Sequence, residues 1–401
     1  MKLNSLKVLG VAAITATFLM SCNQDSQVQT QEAEVIGASS SQAIPGQYIV
    51  VYKKDFIKSM DNGKLSYEKA QENMKSQTLK LMADSNIKGE VLNVYSKTLS
   101  GAAIKLNAEG VEALRKRKEV DYIEEDKFVT YAPPSWAGGG GGETTGQEIP
   151  YGITRVNGGV NYTGSNVVWV VDTGIDLDHE DLNVNASLGF NAFTSGKDGK
   201  SLDDGNGHGS HVAGTIAALN NDVGVVGVAA GATVVPVKVL DSRGSGSYSG
   251  VIAGVDHVGA NGNTGDVANM SLGGPVSQAV DDAVKAASAN GVKFVLAAGN
   301  DSDDANNHSP ARVNGVNIYT ISAMDSSDNW ASFSNFGNPP VDFAAPGVAI
   351  KSTWKDGGYN TISGTSMAAP HAAGVIFLGN FTTDGTVNGD PDGNADAIIV
   401  H

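Results

Sequence analysis

Three short segments hold the residue types of nucleophilic acyl chemistry. "VVDTGID" places Asp172 at the end of an apolar run, "DGNGHGSHVAGT" sets His208 between glycines, and "SGTSMAAPHAAG" sets Ser366 behind Gly364 and ahead of small, helix-forming residues. A serine hydroxyl is a weak nucleophile until a base takes its proton. Imidazole changes charge near neutrality and suits that task. A carboxylate on the other ring nitrogen fixes the tautomer and stabilises the imidazolium as it forms. Taken singly, each residue has an ordinary structural role: an Asp in a turn, a buried histidine, a serine capping a helix. His208 and His211 also raise a metal site. Zincins, however, space their histidines by four around a Glu, and no Glu lies between these two. Nor does Ser366 sit in a G-x-S-x-G elbow, which speaks against an α/β-hydrolase.

The elements that must position these groups follow from the hydrophobic pattern. From Gln147 onward, near-continuous apolar runs such as "NVVWVVD", "TVVPVKVL", "VANMSL", "VKFVLAAGN" and "VNIYTISA" alternate with helical stretches such as "GSHVAGTIAAL", "YSGVIAGVDHVGA" and "VSQAVDDAVKAASANG". Buried strands alternating with helices predict an α/β fold, a mostly parallel sheet with helices on both faces. Such sheets place ligand sites at the carboxyl ends of their strands, where Asp172 falls.

A smaller unit precedes this one. "QYIVVYK" reads as a strand, Tyr67, Ala70, Met74, Thr78 and Leu81 recur at helical spacing, and "GEVLNVYS", "SGAAIKL", "NAEGVEALRKRK" and "VDYIEEDKFV" read as strand, strand, helix and strand. The order β-α-β-β-α-β predicts a small α+β domain of split-βαβ, ferredoxin-like type over residues 45–132. Five glycines at Gly138–Gly142 mark an exposed linker over 133–146. The large domain then spans 147–401.

The N-terminus reads as an export signal over residues 1–22, with Lys2 and Lys7 ahead of the apolar run Val8–Met20. Cys22, the sole cysteine, closes that segment and resembles the lipidated cysteine of a bacterial lipoprotein; an ordinary signal peptide is the alternative. Residues 23–44, rich in Gln, Ser and Glu, read as a flexible tether. With one cysteine no intramolecular disulfide can form, so an exported domain must be held by its core, with metal as one further means. Residues 1–142 hold 17 Lys and Arg against 16 Asp and Glu, whereas 143–401 hold 10 against 27. So acidic a half excludes a nucleic-acid partner, which needs a basic face.

The three segments, standing in the order Asp, His, Ser, resemble the catalytic blocks of the subtilisin-like serine proteases over residues 147–380. That resemblance implies a serine endopeptidase cutting polypeptide substrates through an acyl-enzyme. In it Asp172 orients, His208 is the general base and Ser366 the nucleophile. "AAGN" resembles the family's oxyanion block, which gives Asn300 the side-chain donor, with the backbone N–H of Ser366 as the second. Ser271, Leu272, Gly273 and Gly274 resemble the strand that pairs with substrate, and Ala297, Ala298 and Gly299 the opposite wall of the pocket for the residue before the scissile bond. Small, uncharged walls imply broad specificity leaning to large apolar or aromatic residues. "GSGSYSG" resembles the opposing edge strand, with Tyr248 walling a more distant subsite.

The same resemblance extends to metal and to maturation. Gln147, Asp181 and Asn221 by their side chains, and Leu219, Val223 and Val225 by their carbonyls, match a structural Ca²⁺ site, an all-oxygen set fitting a hard ion. Asp342 is the candidate for a second, weaker cation site. The small domain resembles an inhibitor-type propeptide, so the chain is expected to be a monomeric, self-inhibited precursor, cut between Pro133 and Gln147 and secreted or held at the cell surface by Cys22 until then. A permanent binding domain, a non-catalytic peptide binder and an esterase using the same triad are the competing readings. Only 35 residues follow Ser366, so terminal helices of the family are expected to be missing, and the Asp/Gly-rich tail has little to pack.

Overall fold

"QYIVVYK" shows no alternation of apolar and polar residues, and the reason is that both faces of its strand are covered. The structure, a computed structural model, describes residues 43–53, 56, 65–130 and 146–401. The export signal, Cys22, nearly all of the tether and all of the linker but Gly146 lie outside the described residues. The small domain runs β1 (Ala43–Tyr52), α1 (Tyr67–Asp84), β2 (Gly89–Tyr95), β3 (Gly101–Leu106), α2 (Ala108–Arg115) and β4 (Val120–Thr130), the expected order. β1 therefore starts two residues inside the expected tether. Asn107 caps α2 by accepting the Gly110 N–H at 2.8 Å. Strand side chains alternate between faces. Val50 and Tyr52 pack with Met74 and Leu81 of α1 and with Val111 and Leu114 of α2. Ile49 and Val51 point the other way, into the core of the large domain.

The large domain begins with α3 (Tyr151–Arg155), β5 (Val167–Asp172), β6 (Phe190–Asn191), α4 (His208–Ala217), β7 (Thr233–Lys238), β8 (Ser245–Ser247), α5 (Tyr248–Asn261) and β9 (Val267–Met270). It continues with β10 (Gly274–Pro275), α6 (Gln278–Ser288), β11 (Lys293–Ala297), β12 (His308–Ser309), β13 (Ile318–Met324) and β14 (Val341–Pro346). It ends with β15 (Ile350–Trp354), β16 (Gly358–Ile362), α7 (Thr365–Leu378), β17 (Thr382–Thr386) and β18 (Ala397–Val400). Nine strands form one sheet in the order β17-β18-β14-β13-β11-β9-β5-β7-β6, parallel throughout except for β17 against β18. Val168, Trp169, Val170 and Val171 of β5 are all buried, the mark of a parallel strand covered on both faces. Each such side chain contributes about 1.5–3 kcal/mol on burial. Alternation sends Val171 toward α5, beside Gly254, and Asp172 toward α4.

The C-terminal tail departs from expectation, because it packs. β18 adds to the sheet beside β14, with Ile398 opposite Ala344, and β17 folds back on it. Ile398, Val400 and Val387 close a small cluster with Met324 and Ala344, while Ile399 enters the main core. Four apolar residues after a polar run suffice, since β14 on one side and β17 on the other give the strand backbone partners. Asp396, beneath the hairpin, is buried and held by the Ser322 hydroxyl and by Asn338 Nδ2 at 3.0 Å. Among the described residues no helix is long and apolar enough to cross a membrane.

Candidate active site

Asp172 ends β5 and His208 opens α4, so two buried elements fix the pair. Asp172 Oδ1 accepts from His208 Nδ1 at 2.7 Å and from the Thr173 N–H at 2.7 Å; the side chains are 0% and 1% exposed. The glycines around His208 are steric requirements. Gly207 has φ +115°, and a Cβ there would meet the Trp354 ring at 2.2 Å. A Cβ on Gly209 would lie 2.0 Å from the Gly174 carbonyl oxygen. Asp204, which sequence reasoning missed, gathers the segment. Its carboxylate accepts from the Thr173 hydroxyl at 2.8 Å, the Asn206 and Gly207 N–H groups at 2.9 and 2.8 Å, and the Ser210 N–H and hydroxyl at 2.9 and 2.7 Å. His211 has a separate role: its ring bonds the Ile350 carbonyl at 2.9 Å, and burial pushes it down to about 3.

Ser366 stands in the first turn of α7, where the leading N–H groups lack helical partners and favour negative charge. Its hydroxyl donates to the Ser271 carbonyl at 3.2 Å, and the Ser271 hydroxyl returns a bond to the Ser366 carbonyl at 2.8 Å. Asn300 faces the same turn. Its amide oxygen accepts from the Thr365 N–H at 2.8 Å and the Thr365 hydroxyl at 3.0 Å, which settles the end of the amide that carries the NH₂. An open pocket lies beside these groups, lined by Leu272–Gly274, Ala297–Asn300, Thr365 and Ser366. The predicted walls thus meet around Ser366. They are not all uncharged, since Asp301 and His308 line the pocket too. Asn335, also missed, holds this loop by accepting the Asp301 and Asp303 N–H groups at 2.8 and 3.1 Å and donating to the Ala298 carbonyl at 3.0 Å.

The small domain docks on the same face. The end of β4 pairs antiparallel with β8, Phe128 opposite Ser247 and Val129 opposite Gly246, and Val129 shares the core with Tyr248. Tyr248 is fully buried, packs over Gly274 and donates to the Pro275 carbonyl; it does not line the pocket beside Ser366. Two carboxylates of the small domain cap helices of the large one. Asp126 accepts the Ser249 N–H of α5 at 3.0 Å and Glu124 accepts the Ala279 N–H of α6 at 3.1 Å. In return Asp256 of α5 accepts from Tyr67, Gln71 and the Thr98 hydroxyl, and from the N–H groups of Ser96, Lys97 and Thr98, all between 2.7 and 3.2 Å.

The oxygen-rich set near the start of the large domain also assembles. Gln147 Nε2 is surrounded by the Leu219 carbonyl at 2.7 Å, Asn221 Oδ1 at 3.2 Å, the Val225 carbonyl at 3.3 Å and the Val223 carbonyl at 3.5 Å. Asp181, fully buried, accepts from Asn221 Nδ2 and the Val225 N–H, each at 3.0 Å, and burial raises its pKa. Asp342, on β14, accepts the Thr320 N–H at 2.9 Å. Among the described residues no group of three or more His, Cys, Asp or Glu side chains is arranged around a metal position.

Comparison with known proteins agrees with this architecture. Residues 164–378 match the Subtilase family and residues 47–132 match Peptidase inhibitor I9. An extracellular serine proteinase of a Thermus species is 40% identical over 363 residues, covering 87% of this chain and 83% of that one. Subtilisin NAT of Bacillus subtilis subsp. natto is 41% identical over 301 residues, 73% of each. Among solved structures, a cold-adapted subtilisin-like serine proteinase shares 44% identity with a TM-score of 0.50, over 57% of this chain and 83% of that one. With an α/β sheet that puts Asp172 and His208 in contact, and an inhibitor-type domain docked ahead of it, the chain belongs to the subtilase family, as a subtilisin-type serine protease that carries its own propeptide.

Proposed function

We propose that Asp172, His208 and Ser366 form the catalytic triad of an exported endopeptidase. The observation that supports it most is the buried 2.7 Å contact between His208 Nδ1 and Asp172, which directs the other ring nitrogen to proton transfer. Ser366 Oγ attacks the peptide carbonyl carbon as its proton passes to His208 Nε2. The negative charge on the carbonyl oxygen is met by Asn300 Nδ2 and the Ser366 N–H. The C–N bond breaks with that proton delivered to the leaving amine; water, deprotonated by His208, then attacks the acyl carbon, the Ser366 Oγ–acyl bond breaks and His208 returns the proton to Oγ. The pocket behind Leu272–Gly274 and Ala297–Gly299 suits a large apolar side chain before the scissile bond.

The cage around Gln147 fits Ca²⁺. An amide NH₂ carries two hydrogens, yet four oxygens converge on it, and turning the amide over would present Oε1 to the same oxygens. Gln147, Asp181, Leu219, Asn221, Val223 and Val225 would hold the ion, whose charge offsets the buried Asp181 carboxylate. Asp342 has one hydrogen bond to show for a second site. Residues 45–132 act as the inhibitor and 147–401 as the monomeric enzyme, with cleavage between 133 and 147. Export follows the leading segment, and Cys22 would anchor only the precursor.

Intact-mass measurement of the full chain, with Ca²⁺, tests this against Ser366→Ala. The unaltered chain should shorten to a product starting near Gln147 while Ser366→Ala stays whole; shortening of both would remove Ser366 from the reaction.

A further inference from the structure

The pocket beside Ser366 contains a charged device that nothing in the triad requires. His308 and Asp301 both line it. The His308 ring lies between two carboxylates, Nδ1 3.6 Å from Asp301 Oδ2 and Nε2 3.2 Å from Asp303 Oδ2. The three side chains are 14%, 23% and 48% exposed, so the charge is half-screened and not lost to bulk water. Asn335 pins both carboxylate residues through their N–H groups, so the arrangement is held rigid.

We infer that Asp301, with His308 and Asp303 behind it, makes this pocket a selective site for a cationic side chain before the scissile bond, in addition to apolar ones. The inference rests on the proposed protease function. Two carboxylates around one imidazole leave the cluster negative whether the ring is neutral or charged, so it attracts a lysine ammonium. Other charged groups nearby are Asp304, whose carboxylate is taken by Asn306, and Arg312, which pairs with Asp281 at 3.2 Å.

The test compares two peptides that differ only in lysine or norleucine before the scissile bond, using enzyme matured from the full chain. Norleucine matches the lysine stem without its charge, and the lysine remains charged to about pH 10. The triad is common to both and cancels in the ratio of kcat/KM values. At about pH 8, Asp301→Asn should lower the lysine-to-norleucine ratio about two- to fivefold, the scale of a partly exposed ion pair. A ratio unmoved by Asp301→Asn overturns the inference while norleucine cleavage continues. If neither peptide is cut, the protease reading itself falls.

Discussion

The Ser271 hydroxyl donates to the Ser366 carbonyl at 2.8 Å, in place of the backbone bond that Pro370, four residues further along α7, has no N–H to supply. A proline inside a helix leaves the carbonyl of residue i−4 unpaired, and a buried unpaired carbonyl is costly. Asn269 Nδ2 in turn steadies the Ser271 hydroxyl at 2.8 Å. The turn that carries Ser366 is therefore held from the segment that follows β9. Ser271→Ala should cost about 1–3 kcal/mol, or about 2–4 °C in Tm per kcal/mol for a domain of this size. Thermal unfolding of the inhibited enzyme checks it; an unchanged Tm would mean that the carbonyl has found another donor.

Calcium should raise stability through the cage around Gln147. Anything that binds only the folded state stabilises it by RT ln(1 + [L]/Kd), about 2.7 kcal/mol at a hundredfold excess over Kd. Chelation should lower Tm, and Asp181→Asn should lower it further while abolishing the response to added Ca²⁺. Because burial already raises the pKa of Asp181, protons compete for it, and the calcium response should weaken toward acid. A full calcium response in Asp181→Asn would move the site elsewhere.

Release of the propeptide should depend on Asp256. Six donors of the small domain converge on that one buried carboxylate. Truncating one partner of such a set costs about 2–5 kcal/mol of binding, felt mainly in dissociation. Full activity of Asp256→Ala should appear sooner after the covalent cut than in the unaltered chain. An identical lag between cleavage and activity would contradict this.

Acid should act through two buried histidines. Burial pushes His211 from 6.5 to about 3 and His371 to about 4. Between about pH 4 and 6.5 the unfolded chain binds protons there that the folded one does not, so stability falls as pH falls, by about 1.4 kcal/mol per pH unit for each group. Asp281 and Asp396 oppose this. Burial raises both from 3.8 to about 6, so they favour the fold at low pH and that contribution is lost as pH rises through 6. In a Ser366→Ala background, His371→Asn should reduce the slope of urea-unfolding free energy between pH 6.5 and 4.5 by about one proton's worth. An unchanged slope would show that His371 is charged in the fold.

Much of this was legible in the residues because the chemistry sits where the pattern is strongest. Asp172 ends an apolar run, His208 and Ser366 open helices, and the strands of the parallel sheet are too hydrophobic to be mistaken. What escaped depends on contacts between distant segments. Asp204, Asp256 and Glu124 are single carboxylates in an acidic chain, and nothing local separates a capping carboxylate from a solvated one. Asn335 and Thr365 act through backbone groups of the pocket loop. The charged wall at Asp301 and His308 lies in an aperiodic stretch, and the β18 strand is four residues long, below the length at which periodicity speaks.

The most direct measurement uses a fluorophosphonate, which bonds only to an activated serine, on the matured enzyme, with the adduct located by peptide mass. One adduct per chain, on Ser366, with activity lost in proportion, is the predicted result. An adduct on another serine, or continued peptide cleavage by a chain labelled at Ser366, would contradict the assignment of Ser366 as the nucleophile that Asp172 and His208 serve.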